Sequence, residues 1–310
     1  MRSFWGPIAI LVGTFATGCG GCGQDKPAPI PTENADAATE ATALAASQGL
    51  TVLPVPSASV LKMLNPGDLP VYSGQTGSME GDVFVTGDPA PPEMGKSFER
   101  CPEAAAMYSK QFRDGPPRAD GSRPLADAMV AVQLLGTGIF VPEKNEAQLV
   151  TIDQCSYSAR TFVLTYGQRL DVKNLAAPAT KKIYAPTFEN APDPALMIAT
   201  PGSDPVHLYP KVIGRYRLVD RIKNDWMEAD VFVIGHPLHA VSNAVGHYRL
   251  DGVPVGKRTV NFFHPVIPGE GVNKDVEVRT GVVQKLDVVL SYAKPKAVPQ
   301  KDAGHQVVLP

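Results

Sequence analysis

Charge is scarce in this chain: 29 Lys and Arg stand against 31 Asp and Glu, 19% of residues in all, for a net charge of −2. So even a balance supplies no basic stripe for a phosphate backbone, and nucleic acid is excluded as an expected partner. Long hydrophobic runs are lacking as well; the stretch from Phe4 to Phe15 is interrupted by glycine and too short to span a bilayer. No G-x-S-x-G turn presents a nucleophile. The segment from Gly87 to Gly95-Lys96-Ser97 puts seven residues, three of them proline, between its glycines. A phosphate-binding loop needs about four residues there and the backbone donors that proline removes. Asp and Glu are scattered with no pair set within catalytic reach, so the chain is expected not to be an enzyme.

Proline and glycine are plentiful, 30 and 28 of 310 residues, yet 44% of the chain is hydrophobic, enough for a core among many turns. Met1-Arg2-Ser3 followed by the apolar run reads as a signal peptide over residues 1–18. It ends in Ala16-Thr17-Gly18-Cys19, which resembles a relaxed bacterial lipobox and implies lipidation at Cys19. The alternative is ordinary cleavage, with Cys19 and Cys22 as plain thiols. Gly20 carries no inner-membrane retention signal, so a lipidated chain belongs to the cell envelope as an outer-membrane lipoprotein. It would face the periplasm or exterior, held to the membrane by its lipid anchor and not spanning it. Residues 19–76, rich in Pro and Ala, read as a disordered tether with one marginal helix. Cys19 and Cys22 have redox-pair spacing but no element to present them. That leaves Cys101 and Cys155, which an oxidising compartment would join in a structural disulfide worth about 4 kcal/mol.

From Gly81 onward the texture changes to short β-branched runs bounded by Gly and Pro: 82–86, 129–135, 149–152, 161–165, 169–172, 212–219, 230–234, 246–250, 258–263, 276–279 and 282–291. Such runs predict an all-β chain with a sandwich architecture rather than a parallel α/β sheet. One β-sandwich domain over 77–293 and a disordered tail over 294–310 follow. Tyr248, Phe262, Phe263 and Trp226 read as core aromatics.

Four of the six histidines, His236, His239, His247 and His264, fall within 29 residues. They are the candidate metal ligands, of a type that suits copper or zinc, although Pro237 stiffens the loop and no carboxylate adjoins the first pair.

Several short stretches carry a family resemblance in their order and spacing. They are Gly81-Asp82-Val83-Phe84-Val85-Thr86-Gly87, Leu125 to Val132, Cys155-Ser156-Tyr157, Trp226-Met227-Glu228-Ala229, His236-Pro237, and Gly246-His247-Tyr248-Arg249-Leu250 with Val253 to Gly256. The region resembles the bacterial cupredoxin-like proteins of plastocyanin or methylamine-utilisation type, which also hold segments similar to carboxypeptidase regulatory domains. The resemblance implies a Greek-key β-sandwich with a β-rich extension. In copper-binding relatives a Cys-x-x-His-x-x-Met loop supplies ligands; the same offsets here read Arg221, Asn224 and Met227. One thioether cannot hold copper, and an arginine does not deprotonate. The implied reading is a vacated copper loop, no cofactor, and a non-catalytic envelope lipoprotein that binds an envelope protein or glycan. Its alternative is a periplasmic copper-binding or electron-transfer protein with copper displaced onto His236, His239, His247 or His264, with Met227 as a further ligand.

Overall fold

The computed structural model describes residues 53–189, 197–222 and 224–295. All of these belong to the second of two units, 1–41 and 42–310. The expected signal peptide, Cys19, most of the tether and all but the first two residues of the tail lie outside the described residues. Among the described residues no helix is long and apolar enough to cross a membrane.

The chain folds as β-strands, with helix α1 (Ser57–Leu64) ahead of them and α2 (Ala105–Tyr108) between the first two. The first three strands are β1 (Thr76–Gly87), β2 (Arg123–Pro124) and β3 (Met129–Val132). A block of eight follows: β4 (Ala147–Asp153), β5 (Ser156–Tyr157), β6 (Thr161–Thr165), β7 (Arg169–Asn174), β8 (Pro186–Phe188), β9 (Val206–Leu208), β10 (Gly214–Asp220) and β11 (Glu228–Ile234). Six more close the chain: β12 (His239–Val241), β13 (His247–Pro254), β14 (Gly256–Phe263), β15 (Val272–Val278), β16 (Val283–Lys285) and β17 (Val288–Tyr292).

The strands make two sandwiches, where the sequence predicts one over 77–293. The outer sandwich faces a sheet of β13, β1, β16, β17 and β2 with a sheet ordered β12-β3-β14-β15. Its core holds Met79, Val83, Leu125, Val130, Tyr248 and Phe262. The inner one is built from the uninterrupted block β4 to β11, with sheets ordered β5-β4-β7-β9 and β6-β11-β10-β8. Its separate core holds Val150, Leu164, Leu170, Phe188, Leu218 and Val231. The inner sandwich is therefore an insertion: the chain leaves the outer one at β3 and returns as β12, which pairs antiparallel with β3 through His239 and Ala131.

β6 sits where the two meet. All five of its residues, Thr161-Phe162-Val163-Leu164-Thr165, are buried, because one face belongs to the inner core and the other packs on β3 and β12. The edge-to-face pair Phe232 and Phe263, 5.7 Å apart, adds a second contact between the sandwiches. In β1, the inward side of Gly81 faces the Leu286 carbonyl so closely that a Cβ would lie 2.2 Å from it. There the chain crosses from β16 to β17, and only glycine leaves room.

Residues 53–75 depart from the tether reading, which continued to residue 76. Val60 and Leu64 of α1 pack on the inner core, with Val60 seated on Gly167, whose φ is +98°. Tyr72 then donates its N–H to the Phe140 carbonyl at 2.8 Å. The apolar positions Val55, Val60 and Leu64 are what the tether reading undervalued. Cys101 and Cys155 form a disulfide with Cα atoms 6.3 Å apart, tying the segment before α2 to the turn between β4 and β5.

Candidate functional site

Three places collect the chemistry-bearing residues. The first is the loop from β10 to β11. Alternation along β10 turns Tyr216, Leu218 and Asp220 inward and leaves Arg221 exposed. Asp220 accepts the Ala185 N–H at 2.7 Å on one carboxylate oxygen and the Asn224 amide at 2.8 Å on the other. Asp220 N–H reaches the Met227 carbonyl at 3.2 Å and Met227 N–H the Asn224 carbonyl at 2.9 Å, closing the loop on itself. Met227 is buried in the inner core, and Trp226 beside it donates its indole N–H to the Cys155 carbonyl at 3.2 Å. Arg221 is thus not an inward neighbour of Asn224 and Met227, as the loop offsets imply. The inward group is Asp220, which those offsets skip and which the period-two pattern of Tyr216 and Leu218 identifies. Asn174, at the end of β7, holds the adjoining segment by donating to the Lys182 and Ala199 carbonyls at 2.9 and 3.0 Å.

The second place is the histidine set, and the structure separates it. His236 and His239 are neighbours on the return into the outer sandwich. The His239 Nε2 lies 3.4 Å from the Thr165 hydroxyl, which donates to Glu143 at 2.8 Å. His247, on β13 of the opposite outer sheet, is half-exposed with its Nδ1 3.0 Å from Asp82. His264 follows β14 and is only 3% exposed, with its ring edge-on to Phe112 at 5.8 Å. Among the described residues no three His, Cys, Asp or Glu side chains are grouped to hold a metal ion. The alternative metal site, built from His236, His239, His247 or His264 with Met227, is therefore not assembled among the described residues. Closeness in sequence fails because β12 and β14 share one outer sheet while β13 belongs to the other, and Met227 sits in the inner core.

The third place, which sequence reasoning missed, is a cleft of about 520 Å³ where the sandwiches meet. Phe112, Asp127 and His264 of the outer sandwich face Arg160, Thr161 and Tyr216 of the inner one across it. Asp127 is 2% exposed with φ +65°, a conformation in which few L-residues rest. Its carboxylate accepts two bonds from Arg113, both 2.7 Å, and the Arg160 backbone N–H at 2.9 Å, so it joins the sandwiches. Arg215 and Asp230 line the wall as an ion pair at 2.7 Å, and Glu228 of the wall is held from behind by Lys96 at 2.6 Å.

Burial pushes His236, His239 and His264 each down to about 4. For His264 the Asp127 carboxylate and the nearby Ala126 backbone act in the opposite direction, while Arg160 and Arg113 reinforce the lowering. Between pH 6.5 and about 4 the unfolded chain binds protons that these folded rings refuse, so stability falls as the pH falls through that window. For His264 alone the loss is expected to reach about 3 kcal/mol. Urea unfolding of the wild type and His264→Phe at pH 7 and pH 4.5 checks this: the variant should lose less on acidification.

No family model matches the chain, and no curated protein matches it. Among solved structures, amicyanin from Paracoccus versutus is similar, with 16% identity over 30% of this chain and 85% of that one, at a TM-score of 0.25. A copper-containing nitrite reductase from Thermus scotoductus is similar with 15% identity over 34% of this chain and 26% of that one, also at 0.25.

Proposed function

We propose that the chain is a non-catalytic cell-envelope lipoprotein whose inner sandwich is a cupredoxin-like module without a working copper loop, used for binding and structure. The observation that carries this reading is Asp220. Both its oxygens are engaged by protein donors where the loop would have to turn ligands toward a metal. Copper of the blue type asks for a thiolate, imidazoles and a weak thioether in one pocket. This loop offers a carboxylate already satisfied, an amide, and Met227 buried in the core. The residues do not fit the ion. Supporting the cupredoxin-like assignment is the mixed strand order, with β4 parallel to β7 and β6 parallel to β11 in facing sheets. The stretch Gly246 to Gly256, where the similarity to carboxypeptidase regulatory domains lies, runs along β13 into β14 of the outer sandwich. Anchoring rests on the lipobox-like Ala16-Thr17-Gly18-Cys19, and the partner is an envelope protein or glycan.

Titration of Cu(I) and Cu(II) into a purified chain tests the reading, with His236→Ala/His239→Ala as control. The expected result is no stoichiometric binding beyond that of the control. Binding at one equivalent that the double substitution abolishes would instead make the protein a copper carrier using its adjacent histidine pair.

A further inference from the structure

Two buried polar atoms in the cleft between the sandwiches lack a hydrogen-bond partner in the protein: the Thr161 hydroxyl and His264 Nε2. Thr161 is 1% and His264 3% exposed, and both line the cavity. Buried groups of this kind are rare, because each carries the full cost of desolvation. The His264 tautomer sets the chemistry. Nδ1 accepts the Val266 backbone N–H at 3.2 Å, so in the neutral ring the proton sits on Nε2, which makes Nε2 a donor. The Thr161 hydroxyl can donate as well.

A third donor is Arg160. The other cations of the wall have carboxylate partners: Arg215 has Asp230, and Arg217 has Glu189 and Glu228. Arg160 instead donates Nη1 to the Lys110 carbonyl at 2.6 Å, and no carboxylate of the described residues pairs with its guanidinium. The nearby Asp127 carboxylate is neutralised by the two bonds from Arg113. Around these donors lie apolar surfaces, Phe112, Ala229, Pro265 and Val266. The cavity, about 520 Å³, is within the usual range for small-molecule sites.

We propose that this cleft binds a small organic carboxylate with an apolar body, its oxygens taking the Thr161 hydroxyl, His264 Nε2–H and Arg160 guanidinium, and its body the Phe112 wall. A charge-assisted bond from Arg160 is stronger than a neutral one and selects carboxylate over amide. The inference goes beyond the reading of the copper loop and does not depend on it, since a copper-binding chain would carry the same cleft.

The full chain, titrated with benzoate and hexanoate and with benzamide and hexanamide as neutral counterparts, tests it. The readouts are calorimetry and the His264 Nε2–H resonance. At least one carboxylate should shift that resonance and bind tenfold or more tightly than its amide. Arg160→Met should weaken it tenfold or more, with Arg160→Lys restoring part. Thr161→Val should also weaken binding while leaving the free chain as stable as wild type or more so, because it deletes an unpaired hydroxyl without changing shape. A merely structural threonine would not give that opposition. Equal binding of acid and amide overturns the proposal. So does the absence of any shift up to about 10 mM, which would assign both orphaned atoms to water.

Discussion

Asp127→Ala is expected to cost about 3–5 kcal/mol of stability, the scale for breaking a buried ion pair from one side. The carboxylate is 3% exposed and bonded to an Arg113 guanidinium that is itself only 20% exposed. Removing it strands that guanidinium and the Arg160 N–H together. The substitution also puts alanine at φ +65°, a region that asparagine and aspartate tolerate far better. Asp127→Asn keeps shape, backbone preference and one acceptor, and should therefore lose distinctly less. Urea midpoints should rank wild type above Asp127→Asn above Asp127→Ala. Arg113→Met combined with Asp127→Ala should cost less than the two single losses added together, since the second change removes the charge that the first left unpaired. An Asp127→Ala midpoint within about 1 kcal/mol of wild type would mean that this pair does not hold the sandwiches together.

Losing the Cys101–Cys155 disulfide is expected to cost a similar amount, about 4 kcal/mol, or a fall of about 10 °C in the unfolding midpoint. The bond links residues 54 positions apart, and both sulfurs are buried in the inner core. Its loop runs from the segment before α2, through β2 and β3, into the turn after β4, so it restrains the passage from one sandwich to the other. Thermal unfolding with and without reductant, with free thiols counted, measures it, and Cys101→Ala/Cys155→Ala should match the reduced chain. A midpoint unmoved by complete reduction would assign the bond no part in holding the fold.

Strands with a strong β-branched or alternating pattern are legible in the sequence itself. Thr161 to Thr165, Asp230 to Ile234 and Arg258 to Phe263 all fall in observed strands, and Tyr248, Phe262 and Trp226 are buried as aromatics of a core should be. What escaped were strands too short to have a period. β2 contains Pro124, β8 opens on Pro186, and β12 is three residues long, so nothing local distinguishes them from loop. Missing β12 had a wider effect, because its pairing with β3 is what reveals that the block between them is an insertion. The cleft was illegible for the same reason. Thr161 and His264 are 103 positions apart, and the histidine cluster points to other partners for His264; only the meeting of two sandwiches brings both to one cleft. Asp220 is within reach of the sequence, for strand alternation from Tyr216 points it inward, whereas the offsets of the copper loop begin one residue further on, at Arg221.

β1 has a long antiparallel neighbour in β13, a two-residue one in β2, and parallel ones in β16 and β17, with Asp82 bonded to Asp287 across 205 residues. During synthesis the first long strand of the outer sandwich therefore emerges with only the two-residue β2 to pair with it, well before its three longer partners. The inner block, whose strand pairings are confined to β4 through β11, is free to fold meanwhile. Contacts so distant in sequence close slowly and leave an unpaired edge exposed while they wait. Folding of this chain is thus ordered by its topology: the inserted part first, the enclosing part last, and the interval between them the time at which a nascent chain most needs protection from its neighbours.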